Sequence, residues 1–487
     1  MVYIQGADRA QTMLLPSTVE DYVSSENPVR AIDAFVETLD LVSLGFTVAG
    51  ENLTGGRPRY RPGTLLKLYL WGYFARIRSS RRLEEACTSN LNAIWITGNL
   101  TPDHSTISEF RKANAKALKT IFRQFNLICI ELKLFSRELI AIDGTFIKAV
   151  NSKSRSFTKN KLEKLIKTID NKVADYLDRL DQADSQAQPK EDSDGLQAKI
   201  EKLKTKTQEY KNLLKDCEKS PSGQVSQTDP DSRQLLKRGS HTVGYNVQSA
   251  VDEKHNLIAS CEVTTEANDL HLLHKMSQQA KQDLNLNSDS PLEVLADIGY
   301  HESRELSDCE ADNTTTYVPA QKTNTAGDGS ISSEDFIYHP ESDTYQCSQG
   351  KHLPRKADDV RNLARGKGYR VYYDVRLCRG CPLLASCTKG KYRKIKINFH
   401  REALRKNAQR LKDNPTLYRK RAAMVEHPFG TLKDWNGRRD LLCRGLKLAS
   451  AETRLSAFTY NFKRVLNIIG IDALMTAIQG RQSLLAR

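Results

Sequence analysis

Glu138-Leu139-Ile140-Ala141-Ile142-Asp143-Gly144-Thr145 is the stretch on which the fold turns. Four apolar residues in a row read as a short strand covered on both faces, and the strand ends in an acid and a glycine. The Asp-Gly pair is either a hairpin turn or a carboxylate carried to the rim of a sheet. Downstream, residues 241–251 and 257–263 read as two strands joined by the turn 252–256. Asn268 is expected to cap a helix through Leu272, Leu273 and Met276. Leu292-Glu293-Val294-Leu295-Ala296 is another apolar strand, and it too ends on an acid, in Asp297-Ile298-Gly299-Tyr300. A short acidic helix and a strand over 314–318 follow. This order predicts a mixed α/β sheet in which the first and fourth strands can lie side by side.

Residues 159–218 interrupt that sheet. Leu162, Leu165, Ile169, Val173, Tyr176 and Leu180 step by threes and fours, as do Leu196, Ile200, Leu203, Tyr210 and Leu213. The pattern predicts a helical hairpin with a coiled-coil seam, inserted between two strands. Upstream, residues 1–130 read as helical, with an apolar run over 62–77. Arg76, Arg78, Arg81 and Arg82 follow, and the turn Thr101-Pro102-Asp103-His104-Ser105-Thr106 leads into a helix carrying Arg111 and Lys112. Thr106 and Glu109 have the form of a capping box. The two short helices are either a helix-turn-helix that reads DNA or plain helical packing with a solvated basic face. The expected organisation is thus a helical N-terminal DNA-binding domain (1–130), a sheet in two pieces (138–158 and 238–320) around the hairpin (159–218), a cysteine-bearing insert (321–400) and a helical C-terminal part (401–487).

The 487 residues carry a formal net charge of +15, unevenly spread. Residues 351–447 hold 27 Lys and Arg against 8 Asp and Glu, and residues 51–120 hold 12 against 5. Two separated basic regions suit a polyanion gripped at two places, nucleic acid above all, the alternative being a generally basic soluble protein. No run of about 18 apolar residues could span a bilayer, and the N-terminus lacks a signal-peptide pattern, so the expected location is cytoplasmic, at the nucleoid. In a reducing compartment the ten cysteines are metal ligands or buried thiols. Cys378-Arg379-Gly380-Cys381, with Cys387 downstream and Cys347 upstream, has the close spacing of a structural zinc knuckle; an iron–sulfur cluster or free thiols are the alternatives.

Near the C-terminus Tyr418-Arg419-Lys420-Arg421 runs through Val425-Glu426-His427-Pro428-Phe429-Gly430 to Lys433. Glu426 is a lone acid among cations. It is either a metal ligand whose neighbours hold phosphates or one half of an exposed salt bridge. Pro428 implies that a helix starts near Glu426 or is kinked there. Trp435 could stack on an unpaired base or simply pack. Asp269 and His271 are either supports for a site or ordinary caps.

Taken together, Asp143, Asp297 and the Tyr418–Arg421–Glu426–Lys433 series resemble the DDE transposases of bacterial insertion sequences. That resemblance implies a ribonuclease-H-like catalytic domain with Asp143, Asp297 and Glu426 as its catalytic acids, holding Mg²⁺ or Mn²⁺. It implies cleavage at transposon ends, followed by strand transfer of the 3′-hydroxyl into target DNA. It also implies that Tyr418, Arg421 and Lys433 lie at the DNA, and that the chain works as a homodimer or higher assembly on paired ends. The interval from Arg421 to Glu426 is one residue longer than is usual for the signature. A stand-alone nuclease of the same fold and a zinc-containing DNA-binding regulator are the competing functions.

Overall fold

The computed structural model describes residues 18–47, 59–185, 190–220, 222–237, 239–320, 331, 335–363, 367–435 and 440–485. Six helices come first: α1 (Pro28–Glu37), α2 (Pro62–Phe74), α3 (Ser80–Ser89), α4 (Leu91–Thr97), α5 (His104–Ala113) and α6 (Ala115–Glu131). Local chemistry starts several of them. Asn27 accepts from the Val29 amide at 3.1 Å ahead of Pro28, and Asn90 caps α4. The cap of α5 is Asp103, which accepts from the amides of Ser105 and Thr106, both at 2.9 Å. The Thr106–Glu109 box expected from sequence is therefore absent, because a better acceptor stands one turn earlier.

The sheet contains β1 (Leu139–Lys148), β4 (Arg233–Lys237), β5 (Ser240–Asp252), β6 (Ile258–Thr264), β7 (Leu292–Ala296) and β8 (Thr314–Tyr317). Its order is β4-β5-β1-β7-β8, with β6 also on β5. Strand β1 is antiparallel to β5, from Ile140↔Asp252 to Lys148↔Gly244, and parallel to β7, from Leu139↔Glu293 to Ile142↔Ala296. Helix α9 (Leu273–Asp283) makes the crossover to β7, and α10 (Ser303–Ala311) leads to β8. An antiparallel meander extended by parallel strands is the ribonuclease-H-like arrangement, and the first and fourth strands of the expected set are indeed neighbours.

Three local expectations need correction. Strand β1 does not end at Gly144: it continues for four more residues against β5, although its pairing with β7 stops at Ile142. The Asp143-Gly144 pair is therefore inside a strand and is not a hairpin turn. Strand β4 was not foreseen; it forms a hairpin with the start of β5. Asn268 accepts from the Leu270 amide at 3.3 Å in the turn before α9 and does not cap that helix.

Between β1 and β4, β2 (Ser156–Thr158) and β3 (Gln224–Ser226) pair at the root of the hairpin α7 (Lys159–Ser185) and α8 (Lys190–Lys219). Leu162, Ile169, Leu180 and Ile200 are buried along the seam. The cysteine-bearing insert is not loop-rich: β9 (Ile337–His339), β10 (Thr344–Gln346), β11 (His352–Asn362), β12 (Lys367–Tyr372) and β13 (Ile395–Asn398) form an antiparallel sheet. Phe336, Tyr345, Leu353, Tyr372 and Ile395 give it a small core of its own. The short helices α11 (Val375–Cys378) and α12 (Leu384–Cys387) lie between β12 and β13.

Helices α13 (Arg401–Asp413), α14 (Pro415–Trp435) and α15 (Leu446–Leu485) close the fold. Pro428 lies within α14, which neither begins nor ends there. An internal proline costs about 3 kcal/mol. Pro428, Phe429 and Leu432 are all buried, and burying one such apolar side chain stabilises by about 1.5–3 kcal/mol, enough to offset it. The first six helices share one apolar core with the sheet and with α15. Phe35, Phe125, Phe458 and Phe462, from α1, α6 and α15, are packed ring against ring there.

Candidate active site

Parallel pairing of Ile142 with Ala296 sets the next residues of the two strands, Asp143 and Asp297, at the same edge of β1 and β7. Each acid is held locally. Asp143 Oδ1 accepts from the Gly144 amide at 2.7 Å, and Asp297 Oδ1 caps a short 3₁₀ turn through the Gly299 amide at 2.8 Å. Both side chains are half-buried and line one cleft with Gly144, Phe146, Leu236, Asp269 and Gly299.

Asp269 enters this cleft from the loop between β6 and α9. Its Oδ1 accepts from Asn246 Nδ2 at 2.8 Å and Gln248 Nε2 at 2.7 Å. Asn246 and Gln248 are buried on β5, and Gln248 Oε1 accepts in turn from the hydroxyl of fully buried Tyr300. Burial, and then the charges of Asp269, Asp143 and Asp297, hold the Tyr300 phenol well above its ordinary range, so it remains a donor. Glycine is required at 144 because a Cβ there would meet Gln248 Nε2 at 2.3 Å and Asp269 Oδ1 at 2.8 Å. By sequence Asp269 is either a support or a cap; in the fold its side chain caps no helix and faces the cleft. The polar pair Asn246 and Gln248, at i and i+2 of a strand otherwise rich in apolar residues, was the available signal.

Helix α14 lies against β1, β5 and β7. Arg421 Nη1 reaches Asp143 Oδ2 at 3.3 Å. Burial raises the Tyr418 phenol; Arg421 opposes the rise, and the charges of Asp297 and Asp143 add to it. The first turns of α14 therefore face the two aspartates. Glu426 is exposed and has neither a hydrogen bond nor an ion pair among the described residues. Lys433 lines a small cleft with Phe146, Leu432 and Asp440. The side chain of Trp435 lies outside the described residues.

The N-terminal arginines divide into two groups. Arg76 is exposed just after α2, Arg81 and Arg82 are exposed on the first turn of α3, and Lys112 is exposed beside Glu109, 3.3 Å away. Ser79, Arg81, Ser105, Ser108 and Lys112 line one polar cleft between α3 and α5. Arg78 and Arg111 point inward, contrary to a phosphate-binding role. Arg78, 7% exposed, donates to Glu452 Oε1 at 3.0 Å and to the Asp440 carbonyl. Arg111 lies over the Tyr69 ring at 5.9 Å, with its Nε and Nη1 buried. Basic residues flanking apolar helices are hard to assign by sequence alone, since a guanidinium can reach either inward or outward.

Cys347, Cys378, Cys381 and Cys387 line a single small cleft under the insert's sheet. Burial raises the Cys387 thiol, and Cys378, Cys347 and Cys381 add to that rise against the pull of Arg393. The other six cysteines are buried and separate. Elsewhere, His271, Glu302 and Glu305 bring ligand atoms within 4.8 Å of one another. Both glutamates already serve the backbone there: Glu302 caps α10, and Glu305 accepts from the His274 amide at 2.9 Å.

Comparison with known families fits this geometry. A family described as Transposase domain (DUF772) matches residues 17–113, and one described as Transposase DDE domain matches residues 346–466. Both matches are to transposase families, and together they support a DDE transposase of insertion-sequence type. The first match covers α1 to α5, with the polar cleft between α3 and α5. The second covers most of the insert's sheet, all of α14 with Glu426, and the first half of α15. In this transposase Asp143 and Asp297 lie outside both matched segments, so their assignment rests on the sheet. No curated protein matches the chain. Among the described residues no helix is long and apolar enough to cross a membrane.

Proposed function

We propose that this transposase cuts DNA at the ends of its element in a metal-dependent reaction and joins the freed 3′-hydroxyl to target DNA. The observation that carries the reading is the position of Asp143 and Asp297, each the next residue after the last β1–β7 pair, Ile142↔Ala296, with α14 packed on β1 and β7. The chemistry of the donors present suits a divalent metal. The donors are hard carboxylate oxygens, Asp297 and Asp269 have no cationic partner among the described residues, and Mg²⁺ or Mn²⁺ favours such oxygens. Asp143, Asp297 and Glu426 are the proposed ligands. When bound, the ions supply Lewis-acid stabilisation of the attacking and leaving oxygens of a phosphodiester.

The protein's own contribution is positioning. Strands β1 and β7 fix two carboxylates on a rigid sheet, and unpaired Glu426 remains available on α14. Arg421, beside Asp143, and Lys433 are proposed to hold the phosphates flanking the cut, the guanidinium with two parallel bonds. Exposed Arg76, Arg81, Arg82 and Lys112 supply the second grip on the duplex, and a homodimer or larger assembly brings two ends together. The four thiols of the insert are proposed to close on a structural Zn²⁺.

Labelled end DNA incubated with Mg²⁺ and either wild-type protein or Asp143→Ala tests the proposal. Wild type should cleave and join, whereas the variant should bind but not cut. Absence of Mg²⁺-dependent cleavage on every cognate end would sink the enzymatic reading, and cleavage without joining would favour a nuclease.

A further inference from the structure

We infer that Asp269 is an additional metal ligand of the Asp143–Asp297 cleft, presenting its free Oδ2 to a divalent ion; the inference rests on the metal-dependent reading above. Its two oxygens are in different situations. Oδ1 accepts from the Asn246 and Gln248 amides, at 2.8 and 2.7 Å. Oδ2 has no hydrogen bond among the described residues and lies 3.6 Å from where a Cβ on Gly299 would stand, beside Asp297. Neutral amides orient a carboxylate without cancelling its charge, which is the arrangement that outer-shell groups give metal ligands.

The support behind Asp269 is built and buried. Asn246 and Gln248 are 0% and 1% exposed, and Gln248 is itself fixed by Tyr300 and by a 3.0 Å bond to Asn246 Oδ1. Gly144 lacks the Cβ that would crowd this carboxylate, at 2.8 Å from Oδ1. A surface acid that merely ended a loop would need none of these contacts. By contrast, Asp143 shares its charge with Arg421 at 3.3 Å. Asp269 thus brings a further negative charge to the cleft with no cationic partner among the described residues.

Mn²⁺ binding to the full chain with cognate end DNA, followed by electron paramagnetic resonance, tests the assignment independently of turnover. Asp269→Asn keeps an acceptor for the two amides and removes the charge, so it should melt like wild type and lose tenfold or more in Mn²⁺ affinity. Asp269→Ser should show the same loss, and stands in if the asparagine variant melts early. Wild-type affinity in folded Asp269 variants, with affinity lost in Asp143→Asn, would overturn the inference and leave the proposed function standing. Failure of the wild-type complex to bind Mn²⁺ would overturn both.

Discussion

Gly144→Ala offers the sharpest test of how the cleft is built. Gly144 lies inside β1 without a positive φ, so alanine meets no backbone strain, and in a strand it should gain about 0.5–1 kcal/mol over glycine. The cost is steric. The new methyl would lie 2.3 Å from Gln248 Nε2, 2.8 Å from Asp269 Oδ1 and 3.1 Å from Asn246 Oδ1. Gln248 is the end that could move, but it is buried and tied to Tyr300, Asn246 and Asp269. Releasing its bond to a charged acceptor costs about 1.5–3 kcal/mol, and leaving the Tyr300 hydroxyl unpaired costs about 1–3 kcal/mol more. Net of the strand gain, a loss of roughly 1.5–5.5 kcal/mol is expected, read as a lower urea midpoint at unchanged slope. Gln248→Ala removes the atom that the methyl meets, so the double variant should be more stable than the sum of the single effects by about 1 kcal/mol or more. A Gly144→Ala protein with wild-type midpoint and wild-type Mn²⁺ affinity would refute the account of the cradle.

Further outcomes follow from other contacts. Arg78→Ala leaves Glu452, 1% exposed, without its cation, so stability should fall by about 3–5 kcal/mol in denaturant titrations while DNA affinity of the folded protein is kept. The opposite pattern would return Arg78 to the DNA surface. Burial, helped by Arg76, lowers the Lys463 ammonium from its ordinary 10.5 to about 8. The folded chain then sheds this proton before the unfolded chain does, so the burial penalty is fully present below pH 8 and stability rises from there towards pH 10.5. Lys463→Met should flatten that rise in denaturation midpoints taken across the window, and an unchanged slope would remove Lys463 as its source. Cys378→Ser should abolish bound zinc in metal analysis of the purified chain and speed proteolysis within the insert; equal zinc content in both proteins would reject the four-thiol site.

The parts of the fold that sequence revealed are those with a strong local signature. Apolar runs ending in acids marked β1 and β7, and threes-and-fours spacing marked the α7–α8 hairpin. Tyr418 and Arg421 were legible as a spaced series, and the structure brings both toward the aspartates. Short, polar strands were not legible. His352-Leu353-Pro354-Arg355-Lys356-Ala357-Asp358-Asp359 in β11 shows no clear alternation, because that small sheet buries at most two side chains per strand among the described residues. The reach of β1 past Gly144 was hidden for a different reason: its pairing switches from two neighbours to one, and that depends on distant sequence. Asp269 was equally obscure, since its role comes from Asn246, Gln248 and Tyr300, which meet it only in the folded chain. Direction was the remaining gap, as Arg78 and Arg111 look outward-facing until Glu452 and Tyr69 are in place.

The shared core of α1, α6 and α15 has a consequence for how the protein is made. Roughly 300 residues separate the end of α6 from the start of α15, so the aromatic rings of the first helices wait for a partner that leaves the ribosome much later. At about 5–20 residues per second, that delay is on the order of 15–60 s. During this interval the apolar surface of α1 and α6 that meets α15 has no partner from that helix. A chain released early cannot complete that core and is open to proteases. A fragment holding the first six helices but lacking α14 and α15 is therefore expected to be less stable than the full chain.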